Sequence, residues 1–241
     1  MRSLAVTYSD HHHIEPHTHP WGQLVYAEAG VMRVVTQGAA WLVPPTRAIW
    51  LPAGLAHEIH MKGAVSLRTL YLNGRLGRGL PTAASALEVT PLLRELILHI
   101  LKRGMLDSGS PAHARLAGLL IDLLVQARAE DLFLPLPHDP RARVLAERIQ
   151  AEPGERADLA ALAPAAGASL RTLQRLFPAE TGLSLQAWRQ KARLTHAAAA
   201  LSAGAAVTVV ALDCGYDSQS AFITAFRRQF GATPGRYRAR P

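Results

Sequence analysis

The sequence predicts an α+β chain: a small N-terminal β-barrel with helices attached, then an all-α domain in which two helix-turn-helix units are joined by a linker helix. Three observations lead there. Residues 20–72 are a succession of short β-prone runs broken by turn residues, QLVYAEAG, VMRVVTQG, AWLVPP, AIWLPAG, HEIHM and SLRTLYLNG, and strands at such spacing suit a barrel or sandwich. After Gly79, Leu92, Leu93, Leu96 and Ile100, then Leu116, Leu119, Leu120, Leu123 and Leu124, recur at helical spacing. From about Asp139 the chain turns rich in Ala, Leu and Arg, and carries one motif twice.

These textures divide the chain into a barrel over residues 1–80, a helical segment for support and dimerisation over 81–133, a linker over 134–140 and a two-unit helical domain over 141–241. The linker holds Pro135, Pro137 and Pro140, which cannot continue a helix. With 241 residues, 49% of them hydrophobic, the chain can bury a real core in one or two domains. Its formal net charge of +8 favours a polyanionic partner. That charge is uneven: from Asp139 onward there are 14 Arg and Lys against 8 Asp and Glu, before it 12 against 10. The single cysteine, Cys214, excludes an internal disulfide framework. The opening MRSLAVTYSDHHHIEPHTHP lacks the basic-then-apolar layout of a signal peptide, and no apolar run of about 18 residues occurs that could span a bilayer. The expectation is a cytoplasmic protein without a membrane partner.

The first copy of the repeat is DLAALAPAAGASLRTLQRLF, from Asp158 to Phe177. Asp158 is placed to cap a helix, Gly167 to turn the chain and Ser169 to cap the next helix. In that second helix Leu170, Leu173, Leu176 and Phe177 share one face, leaving Arg171, Gln174 and Arg175 on the other. Arg can read guanine and Gln adenine from the major groove. The second copy is VTVVALDCGYDSQSAFITAFRRQF, from Val207 to Phe230. Here Val209, Val210 and Leu212 are expected to pack the first helix, Gly215 to turn and Ser218 to cap. Phe222, Ala225, Phe226 and Phe230 would face inward, and Ser220, Thr224 and Arg227 outward, with Gln219 at the N-terminal edge. The Ala-rich stretch between the copies would form a helix of roughly 25–30 Å. That approaches the repeat of about 34 Å between successive major-groove faces, so one chain could touch two adjacent segments of double-stranded DNA.

Over residues 141–238 the chain resembles the AraC/XylS transcription regulators, most specifically at ALAPAAGASLRTLQRLFPAETGLSLQAWRQKARL and ALDCGYDSQSAFITAFRRQFGATPGRYR. The resemblance implies that the second helix of each unit enters the major groove, selecting Arg171, Gln174 and Arg175, then Gln219, Ser220 and Thr224. Ser169, Thr172, Arg227 and Arg228 become candidates for phosphate contacts, which position rather than specify. Pro164 departs from the family pattern inside the first scaffolding helix, where it is expected to shorten or kink it.

At the front, His17 and His19 sit at i and i+2, the same face of a strand, with Gln23 four residues on and His57 after the turn Pro52-Ala53-Gly54. This set resembles the two motifs of the cupin family over about residues 10–75. Metal-binding cupins usually supply three His and one Glu, and Gln23 stands where the Glu would be. The resemblance implies a site of His17, His19, Gln23 and His57 able to hold Zn²⁺, Ni²⁺ or Fe²⁺, since imidazole suits all three. A neutral amide binds more weakly than a carboxylate. The alternative is that these residues line a ligand pocket. His11, His12 and His13 read as a solvated arm and His60 as a surface residue, while at least one of Trp21, Trp41 and Trp50 is expected inside the barrel.

The functional expectation is a sequence-specific regulator that binds a DNA operator, senses a small molecule or divalent metal in its barrel, and forms a homodimer through the helical pair. The rival is a cupin metalloenzyme, a dioxygenase or isomerase with an accessory helical domain. The sequence offers that rival no evident acid or base inside the barrel beyond Glu28 and Glu58, which by alternation face outward.

Overall fold

The structure, a computed structural model, describes residues 1–127 and 133–238. The end of the second predicted helix, through Glu130, and the last residues of the C-terminal domain, 239–241, lie outside them. The chain separates into two units: Met1–Thr36 with Trp41–Phe133, and Gln37–Ala40 with Leu134 onward. Among the described residues no helix is long and apolar enough to cross a membrane.

The first unit is a sheet with two helices. Its strands are β1 (Arg2–Tyr8), β2 (His13–His17), β3 (Gly22–Thr36), β4 (Ala39–Val43), β5 (Arg47–Leu51), β6 (His57–Leu72) and β7 (Ser85–Glu88). The long strand β6 pairs antiparallel with β1, β2 and β3, and β3 pairs in turn with β5, which carries β7. β3 and β6 merge several of the short runs read from sequence, because Gly30 and Gly63 bend a continuous strand rather than end it. At Gly30, φ is +80° and an added Cβ would meet the Ala64 carbonyl oxygen at 2.2 Å. Only glycine allows that approach, and register shifts flank it at Ala27/Ala29 and Ala29/Val31.

Helices α1 (Pro91–Arg103) and α2 (Pro111–Gln126) follow the expected leucine pattern. Each starts at a proline whose missing N–H costs nothing there, behind a capping hydroxyl, Thr90 or Ser110. Leu93, Leu96, Ile97 and Ile100 of α1 and Ala117, Leu120 and Leu124 of α2 close one core with Leu24, Tyr26, Trp50, Leu70 and Leu72 of the sheet. Trp41 and Trp50 are buried, as expected of at least one tryptophan, whereas Trp21 is 39% exposed.

The second unit is helical after β8 (Phe133–Pro135): α3 (Pro140–Ala151), α4 (Leu159–Leu162), α5 (Leu170–Thr181), α6 (Leu185–Ser202), α7 (Val207–Asp213), α8 (Gln219–Phe230) and α9 (Pro234–Arg238). The proline-rich stretch before α3 is tied down: the Trp188 indole N–H donates to the Pro135 carbonyl at 2.6 Å, and Leu134 and Leu136 are buried. The 18-residue α6 would be about 27 Å long. It packs against α3, α5, α7, α8 and α9.

Candidate DNA interface and effector site

The two repeats fold as two helix-turn-helix units. In the first, Pro164 cannot donate a backbone bond, so α4 ends after one turn and passes into a 3₁₀ turn over Ala163–Ala166, closed by Gly167 at φ +67°. Asp158 stands at the N-cap but its side chain makes no cap bond, contrary to expectation; its carbonyl accepts from Ala161 and Leu162 instead. Ser169 does cap α5, accepting from the Thr172 N–H at 3.2 Å. Leu173 and Phe177 are buried, while Arg171, Gln174 and Arg175 are exposed on the opposite face. The Thr172 hydroxyl lies 2.9 Å from Ser169 Oγ, so this pair shapes the helix start.

In the second unit Gly215 turns the chain at φ +73° and Ser218 caps α8, accepting from the Ala221 N–H at 3.2 Å. Phe222 and Phe226 are buried and Gln219, Ser220, Thr224, Arg227 and Arg228 are exposed. The scaffolding helix α7 corrects one expectation. Val210 packs inward, but Val209 is 51% and Leu212 64% exposed. Ala211 and Cys214 take the inner face with Val210, Cys214 lying against the Arg193 carbonyl of α6, and the loop before α4 packs its backbone against the end of α7. An added Cβ on Gly154 would meet the Asp213 carbonyl oxygen at 2.4 Å, and one on Gly215 the Gly154 carbonyl oxygen at 2.8 Å.

Two arginines of α6 hold that loop. Arg193 donates to the carbonyls of Pro153 at 2.9 Å and Glu155 at 2.5 Å, and Arg189 donates to Glu155 as well. Burial, together with the Arg193 charge, pushes the Arg189 guanidinium below its ordinary range. The Cys214 thiol, buried and facing the Arg193 carbonyl, is pushed up to about 12, mainly by desolvation. The linker helix therefore fastens the second turn to the end of α3, and sequence reasoning missed Gly154, Arg189 and Arg193 because none falls inside the repeated motif.

In the first unit the structure brings His17, His19 and His57 together, one ring nitrogen of each within 4.8 Å of the others. Each ring donates Nδ1–H to a nearby carbonyl: His17 to Glu15 at 2.8 Å, His19 to Trp21 at 2.6 Å, His57 to Leu55 at 2.8 Å. Those bonds fix the tautomers and leave the Nε2 lone pairs free. His57 is 2% exposed and its Nε2 has no hydrogen-bond partner. Desolvation, reinforced by His17 and His19, holds this imidazole below its ordinary pKa and so in the neutral, ligating form.

Gln23, 3% exposed, joins the set with its Oε1 2.9 Å from His19 Nε2. The orientation of its amide follows from a chain of bonds. The Thr69 hydroxyl donates to the Leu24 carbonyl at 3.0 Å, so it can only accept from Gln23 Nε2, at 2.9 Å. Tyr71 Oη adds a second contact to the same nitrogen at 3.3 Å. The amide oxygen is thereby turned toward the histidines. Thr69 and Tyr71 were not legible as site residues; only their alternation with Leu70 on a strand opposite Gln23 could have pointed to them.

His13 does not belong to a solvated arm. It lies in β2, stacked on His60 with ring centroids 4.1 Å apart, and its Nε2 is 3.0 Å from Glu58 Oε2. Of the three expected there, His11 and His12 are exposed.

Residues 2–147 match the AraC-like ligand binding domain family and residues 162–240 a Helix-turn-helix domain family. The chain belongs to the AraC family of transcription regulators. It is 38% identical over 224 residues, 93% of its length and 82% of the relative's, to the HTH-type transcriptional regulator NimR of Escherichia coli (strain K12). It is 30% identical to the RCS-specific HTH-type transcriptional activator RclR of the same strain, over 88% of this chain and 86% of that one. Over 43% of its length, and 31% of the relative's, it is 38% identical to the HTH-type transcriptional regulator RipA of Corynebacterium glutamicum. As an AraC-family member it is a DNA-binding regulator with a ligand-binding front and a helix-turn-helix end, and the relatives are regulators rather than enzymes.

Proposed function

We propose that this regulator reads its operator with Arg171, Gln174 and Arg175 of α5 and with Gln219, Ser220 and Thr224 of α8. Arg227 and Arg228, with the starts of α5 and α8 around Ser169, Thr172 and Ser218, hold phosphates. We further propose that its effector is a divalent metal ion, Zn²⁺, Ni²⁺ or Fe²⁺, bound by His17, His19, His57 and Gln23. The observation that carries the metal reading is the pair His19 Nε2 and Gln23 Oε1. With Nδ1 bonded to the Trp21 carbonyl, the neutral ring turns an acceptor toward the Gln23 oxygen at 2.9 Å, an approach made favourable by a shared cation, whether a metal ion or a proton.

A second reading, a small-molecule effector, is favoured by a largely apolar cavity of about 800 Å³ lined by Thr36, Trp41, Pro52, Leu55, Ala86 and Phe133, a volume within the usual range for small-molecule sites. Self-association as a homodimer is supported by exposed apolar side chains on α2, Leu119 at 42% and Val125 at 55%. The test is metal analysis of the untagged protein beside its operator affinity. The wild type is expected to retain one ion in the barrel, and metal removal to change operator affinity at least fivefold. A His17→Ala, His57→Ala double variant with the metal content of the wild type refutes the site. Equal affinity for operator and random DNA refutes the specific reading, for which the ratio is about a thousandfold or more.

A further inference from the structure

The strand β6 carries a second convergence of ligating groups, on the opposite face of the sheet from His57. His57, Ile59 and Met61 are buried, while Glu58 and His60 alternate outward with side chains 24% and 34% exposed. His13 of β2 joins them, and one ligating atom from each of His13, Glu58 and His60 lies within 4.8 Å of the others. The join depends on a bulge. Along β2 the pairs are His13 with His60, Ile14 with Ile59 and His17 with His57, so three residues of β2 span two of β6. In a regular strand His13 and His17, four apart, would share one face; the bulge beside Pro16 breaks that pattern. With it, His17 points in and His13 out.

We propose that His13, Glu58 and His60 form a second divalent metal site, of the two-imidazole, one-carboxylate kind that takes Zn²⁺ with a coordination position left open. Glu58 reaches both rings with its two oxygens, at 3.0 Å from His13 Nε2 and 3.2 Å from His60 Nε2. The His60 nitrogen is shielded from solvent and has Glu58 Oε1 as its near partner. The rings stack with an interplanar angle of 11°, which holds their Nε2 atoms side by side toward the carboxylate. His13 Nδ1 faces Glu15 Oε1 at 3.3 Å, a carboxylate behind a ligating histidine that fixes the tautomer and raises its basicity. Nearby positive charge, Arg33 opposite His60 in register, is offset by Glu58 and Glu15. An ion here would staple β2 to β6 directly behind the barrel histidines, with no residue shared between the two sites.

The experiment is a Zn²⁺ titration of the full-length chain without a tag, after chelator treatment, by calorimetry and by elemental analysis after desalting. The wild type is expected to bind two ions per chain, Glu58→Gln and His60→Gln one each, and the His17→Ala, His57→Ala variant one. In the last variant, adding Glu58→Gln should weaken the remaining site at least tenfold. Far-UV circular dichroism and operator binding of the outward-site variants serve as the folding control. If the wild type binds a single ion that Glu58→Gln abolishes, the outward site stands and the barrel reading falls. A stoichiometry that neither Glu58→Gln nor His60→Gln changes overturns the proposal, as does a wild type that binds no Zn²⁺.

Discussion

Replacing Gly154 with alanine tests how the two recognition helices are held in one frame. Gly154 has no unusual backbone angle, so the substitution is purely steric. The new methyl would sit 2.4 Å from the Asp213 carbonyl oxygen and 3.3 Å from its carbon. Neither atom belongs to a side chain that can turn away, so the loop and the end of α7 must part by about 1 Å. The bonds that hold the loop, from Arg193 to Pro153 and Glu155, resist the movement. Overpacking of this kind costs about 1–3 kcal/mol, which corresponds to about 5- to 150-fold faster hydrogen exchange for amides of α7 and α8 that open with that contact. Binding to an operator with both half-elements should weaken, while binding to the α5 element alone should change little, because only the relative placement of the units is disturbed. Gly231→Ala is the control. Its φ is +69° and nothing lies within 4 Å, so it carries only a conformational cost, of about 1–2 kcal/mol, with no steric push on α7. Exchange in Gly154→Ala indistinguishable from wild type would refute the reasoning, and so would a larger effect in Gly231→Ala.

The remaining predictions are narrower. With the Cys214 thiol pushed up from 9.0 to about 12, its thiolate fraction near pH 8 is about a thousandfold below that of an ordinary cysteine; thiol reagents should label the native protein far more slowly than the denatured one, and prompt native labelling would contradict the burial. Ser169→Ala and Ser218→Ala each remove a capping acceptor and should cost about 1 kcal/mol in denaturant unfolding, the first loosening α5 and the second α8. Arg175→Ala should relax base preference, whereas Arg228→Ala should weaken all sequences alike and reduce the salt slope by about one; the reverse pattern in binding titrations would exchange their roles. Thr69→Val keeps the shape but lets the Gln23 amide turn over, and should lower barrel metal affinity about 10- to 100-fold, read by competition with a chromophoric chelator.

What the sequence made legible follows from how local each signal is. The helix-turn-helix units were readable because caps, turn glycines and the leucine and phenylalanine stripes all fall within twenty-odd residues, and Ser169, Gly167, Ser218 and Gly215 act as their types suggest. The errors lie where a distant segment decides the outcome. In VTVVALD a seven-residue helix offers too few turns for hydrophobicity to choose a face, and its packing on α6, with Cys214 against the Arg193 carbonyl, gives the inner face to Val210, Ala211 and Cys214. In β3 and β6 the glycines look like strand ends in a local reading, yet the opposing strand, visible only in three dimensions, keeps the pairing going through them.

The histidines show the same division within a single strand. His17 and His19 do come together, yet not by strand parity: β2 ends at His17 and β3 begins at Gly22, so His19 reaches the cluster from the connection between them. His13 read as part of a solvated arm because it precedes the first recognisable strand run, and a one-residue bulge leaves no mark in composition beyond a proline that could equally end the strand. That bulge decides which face each imidazole takes, and so turns one run of histidines into two separate clusters. Gln23 adds a further layer. Its type and position were legible, but the direction of its amide depends on Thr69 and Leu24, 46 residues away along the chain and adjacent to it, each fixing the next donor in turn. A carboxylate would need no such orientation, since both of its oxygens accept. An amide in that position would make the strength of the proposed site depend on the hydrogen bonds behind it, so Thr69→Val tests the metal reading without removing a ligand.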